Sequence, residues 1–399
     1  LLKDYVPTAG VPFEKSGAVL VAWNESQLNA LPDIQNKAHK NGVTDTRILS
    51  LEEVYKLEPH INKNALGGLF VPGESIICTF TLPLAYATDA VLNGVELKLN
   101  CKVDSIRDAG GAYDIGGWGK TIKARTIINA AGLYSDVIDG LFGHARFTVT
   151  PRRGELIVFD KLARPLVNHV LLPIPTAYTK GVLISPTVYG NIMLGPTAED
   201  LKDKNHKGTS AEGLDYLWGK GQDIISSLLM EEVTATYAGL RAATEHKDYQ
   251  IFSHPEQRYV CVGGIRSTGL SASLGIAEYV LELLRDHDII LEQKEHFENT
   301  KMPYIGEKDQ RPYQSADKIA EDSSYGKIVC HCERATLGEI RDALRSPVPA
   351  RRLDGLRRRT RCLQGRCQGF HCYADVAQIL ADELRTEVDA RESKEAADD

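Results

Sequence analysis

Five of the eight cysteines in this 399-residue chain fall between Cys330 and Cys372, and that clustering constrains the C-terminal part more than any other feature. Thiols gathered this closely serve either a disulfide framework or a metal centre. A framework suits short secreted chains, and nothing at the N-terminus resembles a signal peptide, so ligation is the expectation. Cys330 and Cys332 form a C-x-C pair, and Cys367 and Cys372 are spaced C-x4-C. Four soft thiolates in two pairs suit a 2Fe-2S cluster or a structural zinc, and C-x-C is the less usual spacing for zinc. Cys362 leaves the later pair open, because Cys362 to Cys367 is also C-x4-C. His331 and His371 stand beside the cysteines and are expected to support or flank the site. Cys78, Cys101 and Cys261 lie singly in apolar or strand-like stretches and are expected in the core.

The rest of the chain is long enough for one or two further domains. Its formal charge of -7 argues against a nucleic-acid role for the whole chain. No apolar run approaches the ~20 residues of a membrane-spanning helix. Strand patterning is read at Ser16 to Trp23, Val95 to Leu99, Thr121 to Ala130 and Tyr259 to Gly263. Helices are expected over Asn24 to Asn41, Leu51 to Leu57 with Ser50 and Glu53 as a capping box, Leu82 to Leu92, Ala211 to Leu229 and Ile276 to Leu284. Gly, Pro and Asn turns divide Pro151 to Pro196 into the strands of an antiparallel sheet. Helices and strands alternate throughout, so the class is α/β and α+β. Lys294 to Ser324, polar and carrying Pro303, Gly306 and Pro312, reads as a linker.

Two small-residue turns stand where strands end. In TIINAAGLYSD, Ala130, Ala131 and Gly132 let a backbone approach a bulky ligand. In GGIRSTGLSASLGIA, a strand ends in Gly263-Gly264 and a Gly/Ser-rich turn leads into a helix whose first N–H groups could hold an anionic edge.

With PRRGELIVFD, GNIMLGPTAED and YAGLRAATEHKDY, these segments resemble the FAD-dependent oxidoreductase family that includes D-amino-acid oxidase, glycerol-3-phosphate dehydrogenase and L-2-hydroxyglutarate dehydrogenase. The segment IVCHCERATLGEIRDAL with LDGLRRRTRCLQGRCQGFHC resembles the bacterioferritin-associated-ferredoxin-like 2Fe-2S domain, in the version fused to anaerobic glycerol-3-phosphate dehydrogenases. The resemblance implies a Rossmann-like FAD domain interleaved with an antiparallel-sheet substrate domain over 1–290, a linker over 291–324, a small, mainly helical 2Fe-2S domain over 325–385 and a frayed acidic tail over 386–399. It places the cluster on Cys330, Cys332, Cys367 and Cys372, with Cys362 a spectator, and sets Arg357, Arg358 and Arg359 close to the cluster's negative charge. It assigns flavin contacts to Ala130, Ala131, Gly132, Gly264, Ile265, Arg266, Ser267, Gly269, Leu270 and Ser271. Arg241 is expected to face the substrate's anionic group, Arg266 to meet substrate or flavin, and His246 to serve as base. The family's G-x-G-x-x-G turn is not in this sequence. Its place in the family's order is upstream of Leu1, so the sequence is expected to be truncated and to hold FAD weakly by itself.

The implied reaction is hydride transfer from a secondary alcohol carbon to the flavin, with electrons passing through the 2Fe-2S cluster to a partner subunit or quinone. sn-Glycerol 3-phosphate is the leading substrate, and L-2-hydroxyglutarate or another 2-hydroxy acid the runner-up. A non-catalytic iron-sulfur electron-transfer or scaffold subunit is the competing class. A cytoplasmic location is expected, with peripheral association at the inner membrane through a partner.

Overall fold

Local signals set several elements directly. In the computed structural model, which describes residues 1–175, 181–287 and 289–398, with side chains to 385, Ala18–Ala22 (β1) is fully buried, as its apolar run requires. Asn24 caps the helix Glu25–Lys40 (α1) by accepting from the Gln27 N–H at 3.0 Å. Arg47–Leu49 (β2) precedes Leu51–Leu57 (α2), whose capping box is complete: Glu53 N–H donates to Ser50 Oγ at 3.3 Å, and Ser50 N–H to Glu53 Oε2 at 2.9 Å. Gly67–Val71 (β3) and the helix Thr81–Leu92 (α3) follow.

The expected strand Val95 to Leu99 is not formed. Val95, Leu97 and Leu99 are exposed, and among the described residues no strand pairs with them to satisfy a ladder. Next come Ser105–Asp108 (β4), Tyr113–Gly117 (β5) and Lys120–Ala124 (β6), an antiparallel meander. The single strand read over Thr121 to Ala130 is two: β6 stays with the meander, and after Arg125-Thr126 the chain starts Ile127–Asn129 (β7) in another sheet. Each half finds a different partner, which no local pattern encodes.

Beyond the helix Ser135–Leu141 (α4), the expected antiparallel sheet appears as Thr150–Phe159 (β8), Val170–Pro173 (β9), Leu183–Pro186 (β10), Ile192–Gly195 (β11) and Glu199–Asp200 (β12). The helix Ala211–Ile224 (α5) ends five residues before the expected Leu229. Asn62, far away in sequence, stops it by donating to the carbonyls of Gln222 and Asp223 at 2.8 and 3.0 Å. Val233–Ala243 (β13), Gln250–His254 (β14), Tyr259–Gly263 (β15) and the helix Gly269–Arg285 (α6) complete the body. Helix α6 starts seven residues before the expected Ile276, within the Gly/Ser-rich turn. There Ser271 and Ser273 donate back to the carbonyls of Thr268 and Leu270 instead of breaking the helix.

The main sheet runs β12–β8–β11–β10–β9–β1–β3–β2, with β13 along the other edge of β8; only β9 and β1 are parallel. Val19, Val54, Phe159, Ile184, Leu194 and Leu217 are almost wholly buried in its core. Burial of each such side chain is worth about 1.5–3 kcal/mol. A second sheet, β14–β15–β7, has β15 and β7 parallel.

The segment read as a linker is tied down. Met302 N–H donates to Ala9 O at 2.8 Å, Glu307 N–H to Val188 O at 3.1 Å, and Ile305 is buried. Past it, Ile328–Cys330 (β16), Ala335–Thr336 (β17), Leu337–Arg345 (α7), Leu353–Thr360 (α8) and Tyr373–Asp398 (α9) form a mainly helical unit with its own core around Ile340, Leu344, Leu356 and Val376. Helix α9 runs through the segment expected to be a frayed tail, whose Ala, Glu, Lys and Arg content favours helix; the side chains beyond 385 and residue 399 lie outside the described residues.

Candidate active site and cysteine centre

Strands β8 and β13 pair over ten positions, and the register places Arg152 opposite Arg241, Gly154 opposite Gly239, and Leu156 opposite Tyr237. Directly opposed residues share a face, so two guanidiniums stand at one end of a floor made by two glycines, with Tyr237 at the other end. The floor is required: a Cβ on Gly154 would lie 2.4 Å from Arg241 Nη2. Above Gly239 the space is open. Arg241 touches only carbonyl oxygens, those of Arg153 at 3.4 Å and Thr197 at 3.3 Å, and no described carboxylate lies within ion-pair reach of it. Burial, and then the charge of Arg152, hold its guanidinium below the ordinary value.

Arg152 binds Asp200 through Nε at 2.5 Å and Nη2 at 2.9 Å. That bond, against burial and helped by the charges of Arg152 and Arg266, holds Asp200 below the usual carboxylate range. Arg266 donates to the carbonyls of Thr244 and His246, and its Nε is buried without a partner. Three arginines and one carboxylate leave this locus with a net charge of about +2. Arg152 was not singled out in the sequence; its only signal was the RRG string, and its meaning depends on the register with β13. The His246 ring is exposed and turned to the Arg146 carbonyl, with Nε2 at 3.1 Å.

The two small-residue turns come together. Because β7 and β15 are parallel, with Cys261 opposite Asn129, Ala130-Ala131-Gly132 and Gly264 leave the sheet at the same, C-terminal edge, where ligands bind in such sheets. Asn129 holds the first turn by accepting from Ala131 N–H at 3.2 Å while donating to Ser135 O at 2.8 Å. Ala130, Ala131, Gly132 and Ser267 are exposed. Ile265 packs on Val260, Val262 and Val280, and Leu270 on the core around Leu82. Those two can meet a ligand mainly through backbone. Helix α6 has no side-chain cap at Thr268, so its first N–H groups are free of one. Beside it lies a cleft of 670 Å³, lined by Leu1, Tyr249, Ser271, Ala272, Gly275 and Tyr279. An uncapped helix start, an exposed small-residue lip and an adjoining cleft fit the edge of a planar, hydrogen-bonding cofactor.

In the C-terminal unit all five cysteines converge, and all eight in the chain are free thiols. Cys330, Cys362 and Cys372 are buried, whereas Cys332 and Cys367 are half-buried. Cys332 and Cys367 are neighbours, and Cys330 is the common neighbour of Cys362 and Cys372. Backbone N–H groups aim at the sulfurs: Glu333 and Leu363 at Cys330, Cys367 at Cys332, and His371 and Gly369 at Cys367. Donation from Cys362, against burial, brings Cys330 down to about 5, and Cys362 is correspondingly pushed up. A Cβ on Gly365 would lie 2.3 Å from Cys332 Cβ, so only glycine lets these loops close. Among the described residues no three His, Cys, Asp or Glu side chains gather around one ion. A two-iron cluster asks two thiolates of each iron, and N–H groups aimed at its sulfurs are among the contacts that tune it. The donor set fits such a group.

The arginines expected beside the cysteines are elsewhere. Arg357 and Arg358 pair with Asp354 at 3.2 and 3.7 Å, because α8 carries them on its outer face. Arg359 turns inward to Val348 O and Ser346 Oγ, and burial, then Arg351, push it down to about 10. Arg361, which precedes Cys362 in the chain, is buried and bonded to Glu333 and Asn191.

Comparison with known proteins agrees with these two halves. Residues 1–283 match the profile of the FAD dependent oxidoreductase family, and residues 328–382 that of the BFD-like 2Fe-2S binding domain. A glycerol 3-phosphate dehydrogenase of Caloramator mitchellensis is 34% identical over 95% of this chain and 79% of its own length. A glycerol 3-phosphate oxidase of Mycoplasma pneumoniae is 30% identical over 71% of this chain and 76% of its own. A structure of dithionite-reduced L-alpha-glycerophosphate oxidase from Mycoplasma pneumoniae with FAD bound superposes with a TM-score of 0.71, at 29% identity, over 76% of this chain and 81% of that one. No helix among the described residues is long and apolar enough to cross a membrane.

Proposed function

Because the chain belongs to the FAD-dependent oxidoreductase family and carries a BFD-like 2Fe-2S domain, we propose that this dehydrogenase oxidises sn-glycerol 3-phosphate to dihydroxyacetone phosphate and sends the electrons through the cluster to a partner protein or quinone. The observation that carries the substrate is the paired Arg152 and Arg241 over the Gly154–Gly239 floor. A locus of about +2 matches a phosphate dianion, and an arginine with no carboxylate of its own is poised to take one. The similar proteins named above as acting on glycerol 3-phosphate support the same choice.

When bound, FAD accepts hydride and the cluster carries one electron at a time. The protein's part is to bind and orient. Arg241 and Arg152 grip the anionic end, and Arg266 lies between that grip and the flavin edge formed by Ala130, Ala131, Gly132, Gly264, Ile265, Ser267, Gly269, Leu270 and Ser271. His246 takes the hydroxyl proton: with Nε2–H donating to Arg146 O, the Nδ1 lone pair is its basic atom. Cys330, Cys332, Cys367 and Cys372 hold the cluster, with Cys362 donating its S–H to Cys330.

The test is steady-state oxidation of glycerol 3-phosphate, L-2-hydroxyglutarate and glycerol by anaerobically purified protein with an artificial acceptor. Preference for glycerol 3-phosphate over both others is expected. Turnover of L-2-hydroxyglutarate alone would transfer the assignment to the 2-hydroxy acids.

A further inference from the structure

The contact between the cysteine-bearing unit and the body is built around one side chain that the proposed chemistry does not use. Arg361 is 6% exposed, and each of its three guanidinium nitrogens has a partner. Nη2 donates to Asn191 Oδ1 at 3.0 Å, Nε to Glu333 Oε2 at 3.2 Å and Nη1 to Gln364 Oε1 at 2.7 Å. Its carbon lies 4.1 Å from the centre of the Tyr189 ring. Asn191 and Tyr189 belong to the body, in the turn between β10 and β11, whereas Glu333 and Gln364 belong to the cysteine-bearing unit.

Each partner is fixed in turn. Asn191 donates to Phe159 O at 2.9 Å, and the Tyr189 hydroxyl meets Cys78 Sγ at 2.6 Å. Glu333, 2% exposed, also takes Lys161 from the body at 3.2 Å. Around this centre lie Lys161–Glu307 at 2.6 Å, Arg334–Glu307 at 2.9 Å and Arg366–Asp160 at 3.7 Å. Arg361 also sits at a left-handed position, φ 68°, at the end of α8, where glycine is the usual residue. The backbone would be more relaxed without it, so the side chain is what the position serves.

We propose that Arg361 is the positioning residue that locks the cysteine-bearing unit onto the oxidoreductase body in one orientation, and that this orientation sets the electron route between flavin and cluster. A buried, fully bonded ion pair contributes little net stability, because desolvation offsets attraction, but it penalises every misaligned arrangement. Glu333, the buried partner of Arg361, follows Cys332 directly in the chain, so the lock acts one residue from a proposed cluster ligand. The electron-route half rests on the function proposed above; the orientation half does not.

The test uses the full chain with its cluster, purified anaerobically, and the variants Arg361→Gln and Arg361→Lys. Iron and sulfide content should stay at the parent level. Hydrogen exchange of the backbone over 187–192 and 331–334 should accelerate by about tenfold or more in Arg361→Gln and by less in Arg361→Lys. With substrate, flavin reduction should keep its rate while cluster reduction slows by about tenfold. Unchanged exchange with the cluster retained would overturn the lock, as would cluster loss with unchanged exchange. Should Arg361→Gln fail to fold, Lys161→Met, which removes a body-side partner of Glu333, must show the same exchange signature or the lock is overturned. A parent protein that shows the lock but never reduces its cluster with substrate would sink the electron route and leave the lock standing.

Discussion

Gly154 and Arg241 illustrate how the proposed binding group is made from a residue and from the lack of one. Arg241→Ala removes a charge-assisted contact worth roughly 2–5 kcal/mol and should raise KM for glycerol 3-phosphate by more than about tenfold. Gly154→Ala should do nearly the same with Arg241 still present, because its Cβ would occupy the guanidinium's place. Steady-state kinetics on both variants decides this; a normal KM in either removes the platform from the substrate site. Arg241 stood out in the sequence because its motif has a family resemblance behind it. Arg152 and the glycine floor were not, since their meaning appears only when two strands some 80 residues apart come into register.

At the level of elements, Glu155 joins strand to helix. Pointing away from the platform, it accepts from Ser210 N–H at 2.6 Å, Ser210 Oγ at 2.8 Å and Thr197 Oγ1 at 2.9 Å, so the residue that caps α5 is bonded to the middle of β8. Burial works to raise this carboxyl, but the Ser210 and Thr197 donors, with Arg153, outweigh it and hold it below its ordinary value. A lowered folded-state value means stability that is present above the unfolded value of about 4.5 and lost as pH falls through the folded one. Glu155→Gln should therefore cost about 1.5–3 kcal/mol at pH 7, and the gap to the parent should narrow as the medium is acidified below pH 4.5. Urea titrations at pH 7 and at about 3.5 measure it; a gap of constant size would discount the carboxylate. Caps such as Ser50 with Glu53 were readable because donor and acceptor lie three residues apart. The end of α5 was not, because Asn62 arrives from elsewhere in the fold. Strand β13 escaped for a similar reason: its four alanines and glycine dilute the strand preference of its valine, threonines and tyrosine, and pairing with β8 supplies the rest.

Over the whole molecule, two bodies with separate cores share one chain. Metal ligation and folding are coupled in a unit this small, so cluster loss should melt residues 325–385 while the body stays folded. Single Cys→Ser variants at 330, 332, 367 and 372 should each lose iron, sulfide and the reduced-state paramagnetic signal, and calorimetry should show an early transition alongside an unmoved later one. Cys362→Ser should keep the signal, losing only its bond to Cys330. Retention in Cys372→Ser with loss in Cys362→Ser would exchange their roles. The cysteine pattern made the C-terminal unit the most legible part of the chain, yet its contact with the body was invisible, because Arg361 reads as one more arginine in a basic run. The meeting of Ala130–Gly132 with Gly264–Ser271 carries a consequence for biosynthesis. Neither segment makes the proposed flavin edge alone, so a nascent chain cannot present that edge until Ser271 has left the ribosome. The last cysteine follows roughly 100 residues later, some 5–20 s at ordinary rates of translation. Gene order thereby imposes a maturation order: the proposed flavin edge is complete before Cys372, the last of the proposed cluster ligands, has been made.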